Sequence, residues 1–364
     1  MSWWQALILG IVEGLTEYLP VSSTGHLLLT QRLLGIPRTT AANAFAICVQ
    51  AGAIVAVLGL YWQRIREMVG GVWVRFGGRR SPVGDALGGS SSGVENPGFH
   101  LAVMIVVAFL PAAVLGKLFD EQIERHLFSL WYSVAAWFVG GLAILVMARR
   151  NGDSSPDAGL GLTELGWRGA LVIGLLQAVA MWPGTSRSLM TILGGLAVGL
   201  SVTAAVEFSF LLGVLTLLAA TVYKAKDAGP EMLSAYGWLP LVVGGLAAWG
   251  SAVVAVRWML SYLRHRGLSI FGWYRLVLAA VVAMLLWSGR LTDEAPSELP
   301  DGGGEPQAVA VWGASSGGNA GGGPVEHLRA DHLAADHLTG EPRGDILRKE
   351  VELTGSVSGA RVGD

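Results

Sequence analysis

The sequence predicts an all-helical, polytopic membrane protein with six full membrane spans, arranged as an inverted repeat. Hydrophobic residues make up 52% of the 364 residues, charged residues only 14%, and the mean hydropathy is +0.52. Six stretches are long and apolar enough to cross a bilayer, and two further apolar segments are broken near their middle and resemble each other. This composition is typical of membrane proteins and indicates a lipid environment with no nucleic-acid partner.

The six predicted spans are defined by length. A bilayer core of about 30 Å needs about 20 apolar residues per helix. The stretches that meet this requirement are 42–62, 100–118, 129–148, 204–223, 238–257 and 270–288. Arginines follow the first, third and fifth spans, so the positive-inside rule places these three loops in the cytoplasm. The stretch between the first two spans is predicted to be a polar loop, and the start of the first span and the end of the chain are predicted to lie outside.

The two broken segments cover residues 3–35 and 167–200, and each is interrupted by proline and a cluster of hydroxyl residues. An alignment with one gap pairs Gly10 with Gly174, Glu13 with Gln177, and Pro20 with Pro183. Three spans follow each segment, so the second copy is inserted upside down, as in many transporters. The sequence thus predicts repeat one over 1–150 and repeat two over 165–288, each opening with a re-entrant broken helix pair. Two ordinary kinked spans are the alternative.

The end of the chain has a different composition. Residues 289–364 carry a net charge of −7, which leaves +5 on residues 1–288. Glycine-rich, low-complexity sequence cannot bury a core, so 289–364 is predicted to be a disordered acidic tail behind a membrane catalytic domain over 1–288. Three histidines in the tail (His327, His332 and His337) are spaced by five residues. This spacing does not place them on one helical face, and it favours solvated chain over a metal site.

The second break predicts an anion site. Thr185, Ser186 and Ser188 surround Arg187, whose planar guanidinium suits phosphate oxygens. A helix that begins here offers free N–H groups and the positive end of its dipole. The first break has the same kind of sequence, in the run Ser22, Ser23, Thr24 and Gly25. Together the breaks predict a receptacle for phosphate or pyrophosphate, although Arg187 could also pair with Glu13, Glu17 or Glu207.

Two carboxylates lie just before the first break. Glu13 and Glu17 are four residues apart and share one helical face. Carboxylates beside a phosphate would repel it unless a cation intervened, and Mg²⁺ or Ca²⁺ takes such oxygen ligands. One of the two could instead act as a general base, or the pair could be structural. The sequence leaves these roles open.

A nucleophile and a base lie after the same break. Ser22, Ser23 and Thr24 each carry a hydroxyl that could attack phosphorus, and His26 lies within one helical turn of Ser23. His26 could take the hydroxyl proton, protonate the leaving group or attack phosphorus itself. A satisfied structural histidine is the alternative.

The stretches from Glu13 to His26 and from Pro183 to Ser188 resemble the two signature motifs of the undecaprenyl-pyrophosphate phosphatases, the bacitracin-resistance family. The similarity runs over residues 3–288 and includes the stretch that begins at Glu207. The resemblance implies hydrolysis of undecaprenyl pyrophosphate to the monophosphate for peptidoglycan synthesis, with Mg²⁺ or Ca²⁺. It also implies an enzyme of the bacterial cytoplasmic membrane that has an outward-facing site and forms a homodimer.

The resemblance also implies roles for individual residues. Glu13 and Glu17 match the carboxylates of the family, Ser23 and His26 match its catalytic hydroxyl and imidazole, and Ser186 and Arg187 match the residues that grip phosphate. The sequence departs from the family pattern twice. Ala46 stands where relatives often have an acidic residue, and Leu189 stands where glycine is usual.

Two other functions share features with this sequence. A transporter or flippase of polyprenyl phosphate lipids would use the same inverted-repeat architecture. The other lipid phosphatase superfamily requires a histidine five residues beyond its Ser-Arg pair, and residues 188–193 contain none. The sequence therefore predicts a hydrolase of the first family, with a transporter as the alternative.

Overall fold

The structure, a computed structural model, describes residues 1–37, 39–77, 96–127, 129–151 and 156–293. This part of the chain forms eleven α-helices and contains no β-strand. In chain order the helices are α1 (Trp3–Thr16), α2 (Ser23–Leu33), α3 (Thr40–Leu60), α4 (Trp62–Arg75), α5 (Pro97–Leu127), α6 (Leu130–Asn151), α7 (Trp167–Val179), α8 (Arg187–Ala197), α9 (Val202–Tyr236), α10 (Trp238–Leu263) and α11 (Ser269–Trp287).

Six of these helices are long and apolar enough to cross a membrane, namely α3, α5, α6, α9, α10 and α11. They cover the six stretches predicted from the sequence, so the prediction of an all-helical protein with six apolar spans is confirmed. Many large apolar side chains point outward from them, and Val146, Leu246 and Met284 are each more than half exposed. An apolar exterior of this kind suits hydrocarbon, because lipid tails solvate such side chains as well as a protein core does.

Helix α4 lies where the sequence predicts a polar loop after the first span. Residues Trp62–Arg75 continue as a helix, and α4 packs against the start of α5. Asn96 fixes this contact, because its side-chain amide donates to the Gly71 carbonyl (2.9 Å) and its oxygen accepts from the Phe99 N–H (3.1 Å). The basic residues of this stretch obscured the helix in the sequence.

The two broken segments form pairs of short helices. Helices α1 and α7 have 14 and 13 residues, and α2 and α8 have 11 each. At 1.5 Å per residue each of these helices is shorter than about 22 Å, and a bilayer core is about 30 Å thick. Each helix is therefore too short to cross it. Ser22 and Ser186 cap α2 and α8, and both have a φ of 77°. They are the only residues other than glycine with positive φ in the described part of the chain.

Equivalent helices of the two segments make equivalent contacts. Helix α1 packs against α10, and α7 packs against α5. A Cβ added to Gly10 would lie 2.2 Å from the Gly244 carbonyl oxygen, and one added to Gly174 would lie 2.3 Å from the Ala108 carbonyl oxygen. Both contacts therefore depend on a glycine that lets two backbones touch. These are the two glycines that the sequence alignment pairs.

The chain between α11 and Asp293 packs onto the helices. Leu291 is buried in a cluster with Leu28 and Trp137. The Asp293 carboxylate accepts from the Leu130 N–H (2.6 Å) and the Ser129 hydroxyl (2.5 Å), at the start of α6. The predicted tail thus begins later than residue 289. Its remainder, with the three histidines, lies outside the described residues.

Truncation tests the role of Asp293. We expect that Asp293→Ala, or deletion of residues 290–364, lowers the melting temperature of the purified protein by several degrees. The reason is that losing a carboxylate at a helix start costs about 1 kcal/mol, or about 2–4 °C in a chain of this size. Deletion of 295–364 keeps the cap and serves as the control. Equal melting temperatures for the two truncations would contradict the assignment.

Candidate functional site

The two breaks meet through side chains that begin α8. Arg187 donates from Nη2 to Glu17 Oε1 at 3.2 Å, and both side chains are largely buried. The Ser188 hydroxyl donates to the Leu19 carbonyl at 2.8 Å. Residues 170 positions apart in sequence are thus in direct contact, as expected if the two breaks build one site.

Glu17 lies at the centre of this contact. Its Oε1 accepts from Arg187, and its Oε2 accepts from the Ser23 hydroxyl. A carboxylate that accepts the hydroxyl proton of a serine is placed to remove that proton when the oxygen attacks an electrophile. The structure therefore brings together Glu17, Ser23 and Arg187, three of the five predicted catalytic residues.

Glu13 lies one helical turn before Glu17 and is almost fully buried. Its Oε2 has no hydrogen-bond partner in the described structure. A buried carboxylate oxygen without a partner is costly and favours a proton or a cation beside it. Nowhere in the described residues do three or more His, Cys, Asp or Glu side chains lie close enough together to hold a metal ion, so a cation here would have to complete its shell with substrate or water oxygens.

Arg187 is held from several sides. Besides Glu17, it donates from Nη1 to the Ser209 carbonyl at 3.0 Å, and its guanidinium lies 5.5 Å from the centre of the Tyr18 ring. Its Nε, which is buried, has no partner. Glu207, one of the partners left open by the sequence, pairs instead with Arg64 at 2.7 Å. Arg187 is therefore hydrogen-bonded on two sides, and its Nε–H is a buried donor without a partner in the described structure.

His26 faces away from this group. Its Nδ1 lies 2.6 Å from the Ser22 carbonyl and its Nε2 lies 2.8 Å from the Tyr274 hydroxyl, against which the ring also stacks. A carbonyl only accepts, so in the neutral ring Nδ1 carries the hydrogen and Nε2 accepts from Tyr274. The structure thus does not bring the imidazole to the Ser23 hydroxyl, and a catalytic role for His26 stays a prediction.

A cavity of about 350 Å³ opens in front of Glu17 and Arg187. The predicted site residues that line it are Glu13, Glu17, Ser22, Ser23, Thr24, Ser186 and Arg187. Apolar side chains such as Leu27, Ile47 and Met181 form part of the wall. The cavity therefore offers polar groups at the breaks and an apolar wall beside them, as a lipid with a phosphate headgroup requires.

Three predicted binding residues do not line the cavity. Gly25 packs on the Trp137 ring, which an added Cβ would approach to 2.6 Å. Ser188 is fully buried and bonds to the Leu19 carbonyl and the Ser186 hydroxyl. Thr185 contributes its carbonyl to a bond from Arg275. These residues form contacts within the breaks, and their neighbours in sequence line the cavity.

Several residues of the site were not predicted from the sequence. Asn43, Gln50 and Lys224 line the cavity from α3 and α9, and only the folded chain brings them there. Tyr274 and Arg275 reach the breaks from α11. Arg275 could have been found, because an arginine inside an apolar span is expensive and usually has a role.

Comparisons with known proteins find a matching family and close relatives of this chain. The family model for bacitracin resistance protein BacA matches residues 6–281. An undecaprenyl-diphosphatase of Sorangium cellulosum is 41% identical over 290 residues, which cover 78% of this chain and 87% of that protein. Undecaprenyl-diphosphatase 1 of Chromobacterium violaceum is 40% identical over 287 residues, 78% of this chain and 96% of its own. Undecaprenyl-diphosphatase 2 of Rhodospirillum rubrum is 39% identical over 285 residues, with 78% and 95% covered.

Proposed function

The chain belongs to the bacitracin resistance protein family, and from that premise we propose that it hydrolyses undecaprenyl pyrophosphate to undecaprenyl phosphate and inorganic phosphate. It is a membrane hydrolase that returns the lipid carrier to peptidoglycan synthesis, and resistance to bacitracin is associated with its family. The observation that carries the proposal is the bridge of Glu17 between the Ser23 hydroxyl and Arg187, at the wall of a cavity with an apolar side.

The geometry supports a reaction in two steps. In the first, Ser23 Oγ attacks the terminal phosphorus, Glu17 takes the hydroxyl proton, and the bond from phosphorus to the bridging oxygen breaks. Undecaprenyl phosphate leaves with the electron pair of that bond. In the second, a water molecule attacks the phosphoserine and the bond from phosphorus to Ser23 Oγ breaks. Glu17 returns its proton to Ser23 Oγ, which restores the serine and the carboxylate, and both protons of the water leave with inorganic phosphate.

Arg187 and the helix starts stabilise the charge of this reaction. The transferring phosphoryl group carries negative charge on its non-bridging oxygens, and arginine matches those oxygens with fixed donors. The N-termini of α2 and α8 add N–H groups and the positive ends of two dipoles. These groups are in place before the substrate binds, and such preorganised donors lower the barrier most effectively.

A divalent cation fits the two carboxylates. Glu13 and Glu17 would hold Mg²⁺ or Ca²⁺, because the unpartnered Glu13 oxygen lies in the same cavity wall as Glu17. Such an ion would neutralise phosphate charge next to the carboxylates. A cation at Glu13 would also offset the repulsion that two carboxylates exert on a pyrophosphate.

The finer topology is part of the proposal. The paired glycine contacts of α1 and α7, and the matching caps Ser22 and Ser186, support an inverted repeat with two re-entrant helix pairs. Helix α9 starts near the Arg64 contact and runs to Lys224 at the cavity. Arg64 lies in a loop predicted to be cytoplasmic, so the cavity faces the outer side of the cytoplasmic membrane. A homodimer is compatible with this arrangement.

Phosphate release by the purified protein tests the function. We expect release from undecaprenyl or farnesyl pyrophosphate in detergent with Mg²⁺ or Ca²⁺, and loss of release when a chelator removes the metal. The control is the corresponding monophosphate, whose phosphorus lacks a phosphate leaving group. Absence of phosphate release with either metal would contradict the hydrolase proposal and favour the rival transporter of polyprenyl phosphate lipids.

A further inference from the structure

Arg275 lies within α11 and is fully buried. It donates from Nη1 to the Pro20 carbonyl (3.2 Å) and from Nη2 to the carbonyls of Gly184 (2.9 Å) and Thr185 (3.3 Å). Pro20 and Gly184 each precede a helix-capping serine by two residues. Counted from the two capping serines, which shifts the Pro20–Pro183 pairing of the sequence alignment by one residue, one guanidinium holds the equivalent position of both breaks.

Helix α6 completes the shell of this arginine. The carbonyls of Ala136 (2.8 Å) and Trp137 (3.4 Å) accept from Nη2 and Nε. No carboxylate in the described part of the chain forms an ion pair with Arg275. A buried charge is tolerated only when its donors are hydrogen-bonded, and here backbone carbonyls alone supply the partners.

The backbone conformation of the two breaks has to be enforced by contacts such as those of Arg275. Ser22 and Ser186 have a φ of 77°, and a residue other than glycine in this region costs about 1–3 kcal/mol unless its surroundings enforce it. Arg275 draws the carbonyls before each serine toward itself. The N–H groups that start α2 and α8 then remain available on the cavity side, where Ser23 and Arg187 are the first residues of their helices.

We propose that Arg275 is a positioning residue that ties the two breaks together and so holds Ser23 and Arg187 at one phosphate. The catalytic part of this inference rests on the proposed phosphatase function. Arg275 is fully buried and does not line the cavity, so it acts through the two helix starts. A displacement of about 1 Å between the attacking oxygen and the phosphate clamp is enough to cost about 100-fold in rate.

Gly140 of α6 allows the tie to be broken without altering Arg275. A Cβ added to Gly140 would lie 2.4 Å from Arg275 Nη2. Gly140→Ala therefore pushes the guanidinium away from the breaks and keeps its charge in the protein. Arg275→Lys is the complementary change, because it keeps the charge but cannot reach both breaks with a rigid fork. Gly250→Ala is the matched control, since an added Cβ there meets no atom.

The first measurement is steady-state turnover of farnesyl pyrophosphate. For Gly140→Ala and Arg275→Lys we expect kcat to fall about 100-fold with KM changed by less than about threefold, because the binding groups remain and only their alignment is lost. Gly250→Ala keeps both constants. A purely structural role would instead lower the amount of folded protein and leave kcat per folded molecule unchanged, and that result would overturn the inference.

The second measurement does not depend on activity. Hydrogen exchange of peptides covering residues 17–26 and 181–190 should rise in both variants, and at both breaks together, because one side chain holds both. Unchanged exchange at either break would overturn the tie even if the wild-type enzyme is active. If the wild-type protein releases no phosphate, the proposed function fails, while the exchange data still decide whether Arg275 couples the breaks. If Arg275→Lys cannot be purified, Gly140→Ala alone tests whether Arg275 couples the two breaks.

Discussion

Replacing Arg187 by alanine lowers kcat for phosphate release by about 10³-fold or more, because an arginine that stabilises a transferring phosphoryl group contributes about 10³–10⁵. The structure gives the reason for this size. Arg187 is fixed by Glu17, the Ser209 carbonyl and the Tyr18 ring, so it stabilises charge without having to reorganise. The measurement is turnover of farnesyl pyrophosphate, with the melting temperature recorded to confirm that the variant is folded.

Two further variants separate the position of this guanidinium from its charge. A Cβ added to Gly213 would lie 2.3 Å from Arg187 Nη1, so Gly213→Ala displaces the guanidinium but keeps it. Arg187→Lys keeps the charge but loses the planar fork. We expect both variants to lose most of the activity, and Gly250→Ala to lose none. More than a tenth of wild-type activity in Arg187→Ala would contradict the phosphate clamp.

The membrane spans were predictable from hydropathy, because a helix that crosses the bilayer core must be apolar over about 20 residues. Residues 42–62 were predicted and Thr40–Leu60 is observed, a shift of two residues at each end. The prediction of 204–223 was too short, since α9 continues to Tyr236. Lys224 and Lys226 end the apolar run but not the helix, because both have good helix propensity. Hydropathy thus located the membrane-embedded part of α9, while the backbone continued beyond it.

The sequence located the two breaks that meet in the structure, but it did not predict which side chains pair across them. Spacing along one helix placed Glu13 beside Glu17, since that relation is local. Which carboxylate meets Arg187, and which way His26 faces, depend on how two breaks distant in sequence pack together. Sequence spacing put His26 within a turn of Ser23, yet the ring turns toward Tyr274 in α11.

Replacing Glu17 by glutamine lowers kcat by about 10²–10⁴-fold, the usual contribution of a general base. The amide has nearly the same shape and can still meet the Ser23 hydroxyl and Arg187, but it cannot take up the proton. The loss should persist at every Mg²⁺ or Ca²⁺ concentration. Rapid-quench mass spectrometry should also show that phosphate on Ser23, which accumulates whenever its hydrolysis is slow in the wild type, forms more slowly in this variant.

Glu13→Gln is the matched control for that change, since it leaves the Glu17 contacts with Ser23 and Arg187 in place. Glu13 has the unpartnered oxygen, so its loss should raise the metal concentration needed for half-maximal rate and leave the rate at saturating metal much less affected than Glu17→Gln does. Added metal should therefore restore the activity of Glu13→Gln but not that of Glu17→Gln. If raised Mg²⁺ restored Glu17→Gln as well, Glu17 would be a metal ligand only, and the proton of Ser23 would need another acceptor.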